Sequence, residues 1–69
     1  MNIIDSKTFG QQIITRRNHF HFTQKDISDF SGLSTSFISD VEKGKSTCEI
    51  GKCIQLANIL GLDIKLIER

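Results

Sequence analysis

Between Ser34 and Asp40 the chain carries five short side chains able to donate or accept hydrogen bonds: Ser34, Thr35, Ser36, Ser39 and Asp40. On a helix, at roughly 100° per residue, Ile38, Val41 and Glu42 fall on one side with Ser34, and Ser36, Ser39, Asp40 and Lys43 fall opposite. Phe37 lies on the flank beside Val41, and Thr35 stands at the N-terminal tip. The outward set is small and polar, with no long apolar side chain across its middle. Such a surface suits a helix whose first turn enters a DNA major groove and meets base edges there. The Ser and Thr hydroxyls donate or accept, and Asp40 could accept from a cytosine amino group. Side chains this short read bases weakly, so part of any specificity would come from DNA shape. A solvated face of an ordinary helical hairpin has the same pattern, and the wheel leaves both readings open.

Other chemistries find less support. His19 and His21 make an H-x-H pair, but the chain has only two histidines and nothing fixes a third ligand, so no metal is expected. Two cysteines, Cys48 and Cys53, are too few for a disulfide framework. Spaced by five, they point to different sides of any helix that contains both. They read as reduced thiols, with Cys53 in the core. No nucleophile–His–acid set or glycine-rich phosphate loop is present, and the chain is short for a substrate cleft. An enzyme is therefore not expected, and no cofactor is implied.

The 69 residues, with a formal charge of +1 and no proline, are expected to form one domain over residues 1–69. A chain of this length is near the lower limit for folding alone and often gains stability by oligomerising. No apolar run approaches a membrane span and no signal peptide is visible, which fits a bacterial cytoplasmic protein. Near-neutral charge means that any case for nucleic acid rests on where the charges lie. Lys25, Lys43 and Lys45 flank the polar segment and Arg16 ends the helix before it, whereas Asp5, Glu49, Asp63 and Glu68 lie toward the two ends.

Four helices must position these groups. Ser6 is expected to cap the first, which runs to about His19 with Phe9, Ile13 and Phe20 facing the core. Thr23 caps the second, with Asp26 at the capping-box position. It runs to about Phe30, placing Ile27 and Phe30 on one face, and Ser31-Gly32 stops it. Leu33 plugs the angle to the third helix, which Ser34 caps and which runs to about Lys43 before Gly44. The helix-turn-helix thus spans residues 23–43. The polar loop after it supplies Lys45, Ser46 and Thr47 as phosphate candidates, and Gln24, in the first turn of its helix, is another. The last helix runs from about Glu49 to Leu60 with a core stripe of Ile50, Cys53, Ile54, Ala57 and Leu60. Leu56 and Ile59 lie off that stripe and become candidates for a subunit interface. Gly61 closes the helix. The tail alternates apolar and polar residues, which is strand period, and predicts a strand over 62–67. A lone strand needs a partner, either the Ile3-Ile4 arm or the same strand of a second copy; a frayed terminus is the alternative.

The segment TQKDISDFSGLSTSFISDVEKGK, Thr23 to Lys45, resembles the helix-turn-helix of the XRE (Cro/CI-type) repressor family. The matching positions are Thr23-Gln24, Ile27, Gly32-Leu33-Ser34, Ile38-Ser39, Val41-Glu42 and Gly44-Lys45. Phe9-Gly10, Ile13 and Arg17 match the family's first helix, and Leu56-Ala57 with Leu60-Gly61-Leu62 its fourth. The departures are His21 where Gly is usual, Ser28 where Ala is usual, and Cys48 near a common Pro. FISDVEKGKST and LGLDIKL are more particularly similar to HipB-like antitoxin repressors.

The resemblance implies an all-α, compact four-helix repressor-like domain that binds a palindromic operator as a homodimer and represses transcription. It implies base reading by Ser34, Thr35, Ser36, Ser39 and Asp40. Phosphate contacts would come from Arg16, Gln24, Lys25, Lys43, Lys45, Ser46 and Thr47, the 45–47 loop running along the DNA backbone. It pairs Arg17 with Glu42, and it joins two C-terminal strands across a two-fold axis, with Leu56, Ile59, Leu62, Ile64 and Leu66 at the dimer interface. It also implies a HipA-like kinase toxin as partner in a toxin–antitoxin operon, the alternative being a stand-alone or prophage regulator with no toxin.

Overall fold

The computed structural model describes residues 2–69. Its elements are α1 (Ser6–His19), α2 (Gln24–Ser31), α3 (Thr35–Glu42) and α4 (Ile50–Ile59), joined by short turns. The all-α architecture agrees with the expectation. α3 packs against α1 and α2, and α2 also packs on α4.

The ends of these helices are written in the side chains around them. Asp5, not Ser6, caps α1: its Oδ1 accepts from Thr8 N–H at 2.7 Å, and Thr8 Oγ1 accepts from Asp5 N–H at 3.2 Å. Asp5 outranks Ser6 because Thr8 sits three residues on and can answer it, closing a capping box. The Ser6 hydroxyl instead donates to Gly44 O at 2.8 Å, tying the start of α1 to the turn after α3. Thr23 and Asp26 form the expected capping box on α2, and Ser34 Oγ caps α3 by accepting from Phe37 N–H at 3.0 Å.

Three helices end in the same motif, in which two backbone N–H groups turn back onto the last turn and the intervening residue is left-handed. α3 does this at Gly44 (φ 86°) and α4 at Gly61 (φ 77°). α1 does it at His21, whose φ of 58° is a conformation a side chain disfavours. The Phe22 N–H donates to Arg17 O and the His21 N–H to Asn18 O, so the turn is fully bonded despite that residue.

The core is Ile13, Ile27, Leu33, Ile38, Val41, Leu56, Ala57 and Leu60, with Phe9, Phe22, Phe37, Cys48, Cys53 and Leu62 packed around it. Gly10 lets α1 lie against the end of α3, since a Cβ there would collide with the Val41 carbonyl. Several expectations are corrected. Leu56 is fully buried, so it belongs to the chain's own core and not to a surface for a second copy. Ile50, placed in the core stripe, is 75% exposed, and Ile54 is also exposed. Phe20 and Phe30 are exposed too; they join Phe22 and His19 in a surface run of rings, with centroids 5.1–5.6 Å apart from one ring to the next. The tail predicted as a strand over 62–67 forms none in the single chain: it has no paired neighbour, and no strand occurs among the described residues. Among the described residues no helix is long and apolar enough to cross a membrane.

Candidate nucleic-acid interface

α3 follows the wheel in its buried face, while Ser34, its cap, is exposed. Ile38, Val41 and Glu42 are buried, and Thr35, Ser36 and Lys43 are exposed. Ser39 and Asp40 are half-buried at the rim of an open cleft of about 300 Å³ that Gln24, Thr35, Ser36 and Lys43 complete. The cleft is therefore lined by polar side chains from the first turns of α2 and α3 and from the far end of α3. Both first turns point backbone N–H groups that lack helical partners toward their caps, which adds donors at this end of the helix pair.

The floor of the helix pair is an ion pair. Arg17 Nε donates to Glu42 Oε2 at 2.8 Å and Nη2 to Oε1 at 2.9 Å, a two-pronged contact, while Nη1 donates to Phe22 O at 2.8 Å. Gln24 Nε2 adds a bond to Glu42 Oε1 at 3.0 Å. Hydrogen bonding to Glu42 pushes the Arg17 guanidinium above its ordinary pKa, against the burial that would lower it. Glu42 is only 8% exposed, and every buried polar side-chain atom among the described residues has a partner. Three helices are thus pinned at one carboxylate: α1 through Arg17, α2 through Gln24, and α3 through Glu42 itself. That fixes the angle at which α3 stands out from the rest.

The cationic residues divide into two groups. Lys43 carries no acidic partner among the described residues and lies beside the cleft. Lys45 holds Asp40 at 3.4 Å and Lys25 holds Asp29 at 3.4 Å, both pairs well exposed. Exposed pairs of this kind contribute about 0–1 kcal/mol, so an incoming phosphate can displace the carboxylate. Ser46 and Thr47 are exposed in the loop beyond. Arg16 Nε donates to Leu60 O at 2.8 Å and the guanidinium lies 4.7 Å from the centre of the Phe20 ring. Through Nε it closes the C-terminus of α4. Ser34 and Gln24 likewise carry structural bonds, Ser34 as a helix cap and Gln24 to Glu42, though both remain beside the cleft end of α3.

The cysteines are both free, as expected. Cys48 precedes α4 and so is not on its wheel; it and Cys53 line one cavity. Of the proposed subunit-interface residues other than Leu56, Ile59 is 40%, Ile64 47% and Leu66 98% exposed, and Leu62 is half-buried against the core. No group of three or more His, Cys, Asp or Glu side chains among the described residues is placed to hold a metal.

Comparison with known proteins bears on the same elements. The Uncharacterized HTH-type transcriptional regulator y4mF of Sinorhizobium fredii is 33% identical over 51 residues, 74% of this chain and 67% of that protein. The ImmF control region 10 kDa protein of Bacillus phage phi105 is 24% identical over 66 residues, 96% of this chain and 73% of that protein. Among solved structures, HipB in a complex with the O4 20mer superposes with a TM-score of 0.90 over 99% of this chain and 96% of that one, at 16% identity. HipB in a HipA–HipB–O2–O3 complex superposes at 0.89 with the same coverage and identity. At that identity the superposition establishes a shared fold. The Helix-turn-helix family matches residues 13–67, from the middle of α1 through α4 into the tail. With the capped helix pair, the pinned angle and the polar outer face already described, that match settles the matter: the chain belongs to the XRE-type helix-turn-helix family of DNA-binding regulators.

Proposed function

We propose that this protein is a sequence-specific transcriptional repressor. It works in the bacterial cytoplasm as a homodimer on a palindromic operator, and it is the HipB-like antitoxin of an operon that also encodes a HipA-like kinase toxin. The observation that carries the DNA reading is the polar side of α3, with Thr35 and Ser36 exposed and Ser39 and Asp40 half-buried, lining an open cleft with Lys43. Thr35, Ser36, Ser39 and Asp40 read base edges, and Ser34 lies at the entry to the groove. Lys25, Lys43, Lys45, Ser46 and Thr47 contact the phosphates, with Gln24 at the N-terminus of α2. Two subunits place their α3 helices in successive major grooves, about 34 Å apart. The antitoxin assignment is supported by the fold shared with HipB, which occurs in solved complexes with an O4 20mer and with HipA.

A second reading is favoured by the likeness to the phage phi105 control-region protein. On that reading the chain is a stand-alone or prophage regulator with no toxin. The neighbouring gene separates the two, because the antitoxin reading requires a kinase-like reading frame beside this one.

The DNA reading is tested by affinity for a duplex from the region upstream of its own gene and for a random duplex of equal length. Ser39→Ala reduces the preference between them by about tenfold, one lost base contact. Lys45→Ala weakens both alike and lowers the salt slope by about one. Equal losses on both duplexes for Ser39→Ala would show that this side chain contacts no base.

A further inference from the structure

Cys48 and Cys53 occupy two special positions of α4. Glu49 is its N-cap, so Cys48 is the residue just before the cap and Cys53 is the fourth residue of the helix. The bond from Cys53 N–H to Glu49 O, at 3.1 Å, closes the first turn between them. Side chains at these two positions commonly pack on each other across the helix entrance and set the angle of the incoming chain. Here both positions carry thiols. Both are free, both are half-buried against the core, and both line one cavity of about 440 Å³ that Lys45 and Ser46 also line. Burial, and after it the charge of Cys48, push the Cys53 thiol up.

The loop they hold is the one proposed to track the phosphates. At its near end Lys45 is fixed to α3, through its N–H to Asp40 O at 3.0 Å and its ammonium to the Asp40 carboxylate at 3.4 Å. At its far end Cys48 is held only by packing. Ser46 and Thr47 lie between.

We propose that Cys48 and Cys53 are a redox site: a peroxide closes them into an internal disulfide that pulls the 45–47 loop toward α4 and weakens DNA binding. The Cys48 thiolate attacks the peroxide, giving a sulfenic acid and one water. The Cys53 sulfur then attacks that sulfenyl sulfur, forming the S–S bond and releasing a second water. Two thiols are oxidised by two electrons and one peroxide is reduced; a thiol reductant reverses the step. Closing the bond brings the sulfurs to about 2 Å, nearer than packed thiols approach, and the loop end is the part free to move. Intracellular disulfides are mostly transient sensors of this kind. The effect on DNA rests on the reading of Lys45, Ser46 and Thr47 as phosphate contacts; the thiol chemistry does not.

The test uses the full chain, reduced and then treated with hydrogen peroxide. Alkylation with mass measurement reads the thiols, and affinity is measured for the upstream duplex and for the random one. The expected result is a monomer lighter by two hydrogens with neither thiol alkylated, and an affinity about tenfold lower on both duplexes, both reversed by dithiothreitol. Cys48→Ser and Cys53→Ser, each exchanging sulfur for oxygen, lose no affinity with peroxide relative to the same variant's own reduced value. Thiols that both stay open to alkylation, or a disulfide only between chains, overturn the site. An internal disulfide with unchanged affinity overturns its control of DNA binding. A reduced chain that retains neither duplex refutes the DNA reading and with it that control, and the mass alone then decides the thiol chemistry.

Discussion

Asp5 shows how one side chain sets a boundary. Its carboxylate accepts the Thr8 N–H, and that bond, followed by the Thr8 hydroxyl, holds its pKa below the ordinary 3.8. A folded pKa lower than the unfolded one means that the stabilisation is complete above about pH 4 and is lost as pH falls through the lower folded value. Asp5→Asn keeps an N-capping side chain but removes the titration. The mutant's denaturant midpoint should therefore vary less with pH below 4 than that of the wild type, a difference urea melts at pH 3 and pH 6 would register. His21 makes the opposite point. Its departure from the family's usual Gly was visible in the sequence, but its left-handed φ follows from the bonds of Phe22 and His21 back to Arg17 and Asn18, which composition does not reveal.

Among the elements, the helix pair was the most legible part of the chain. Thr23, Asp26, Gly32, Ser34 and Gly44 are boundary residues whose chemistry acts over three or four positions, so spacing alone located α2 and α3. α4 was less legible because apolar residues cover more than half of its circumference. A stripe through Ile50 and Ile54 and one through Leu56 and Leu60 fit the period equally well. Packing on the core and against α2 selects the second, and burial of Leu56 is the result. The same limit explains Phe30, whose spacing from Ile27 is right for a core face but whose ring meets Phe22 at the surface. The angle between α1, α2 and α3 depends on Glu42. Glu42→Ala would leave the Arg17 guanidinium half-buried without its carboxylate and should cost about 3–5 kcal/mol. Adding Arg17→Met should recover much of that loss, since the stranded charge is then gone. Chemical denaturation of the single and double variants measures both, and a double variant no more stable than Glu42→Ala would count against this account of the pair.

At the scale of the molecule, apolar side chains remain uncovered where the arm and the tail approach each other. Ile3 is 47%, Ile4 74%, Ile64 47%, Leu66 98% and Ile67 85% exposed, and Ile3, Ile4, Phe9, Leu62, Ile64 and Leu66 line one open groove. In the proposed dimer a second copy would cover this surface, and the two tails would pair there as the strands that the single chain does not form. Stability should then rise with protein concentration. Leu66→Asp should give a monomer in sedimentation whose melting temperature no longer depends on concentration, while its helices persist by circular dichroism. Whether the chain reads DNA with α3 is best decided by backbone amide shifts on titrating the labelled protein with the upstream duplex. The account predicts that the largest changes fall on Thr35, Ser36, Ser39, Asp40 and the 45–47 loop, with the tail and the Phe20–Phe30 ring cluster little altered. Changes concentrated on the ring cluster or the tail, with the Thr35–Asp40 face unmoved, would contradict it.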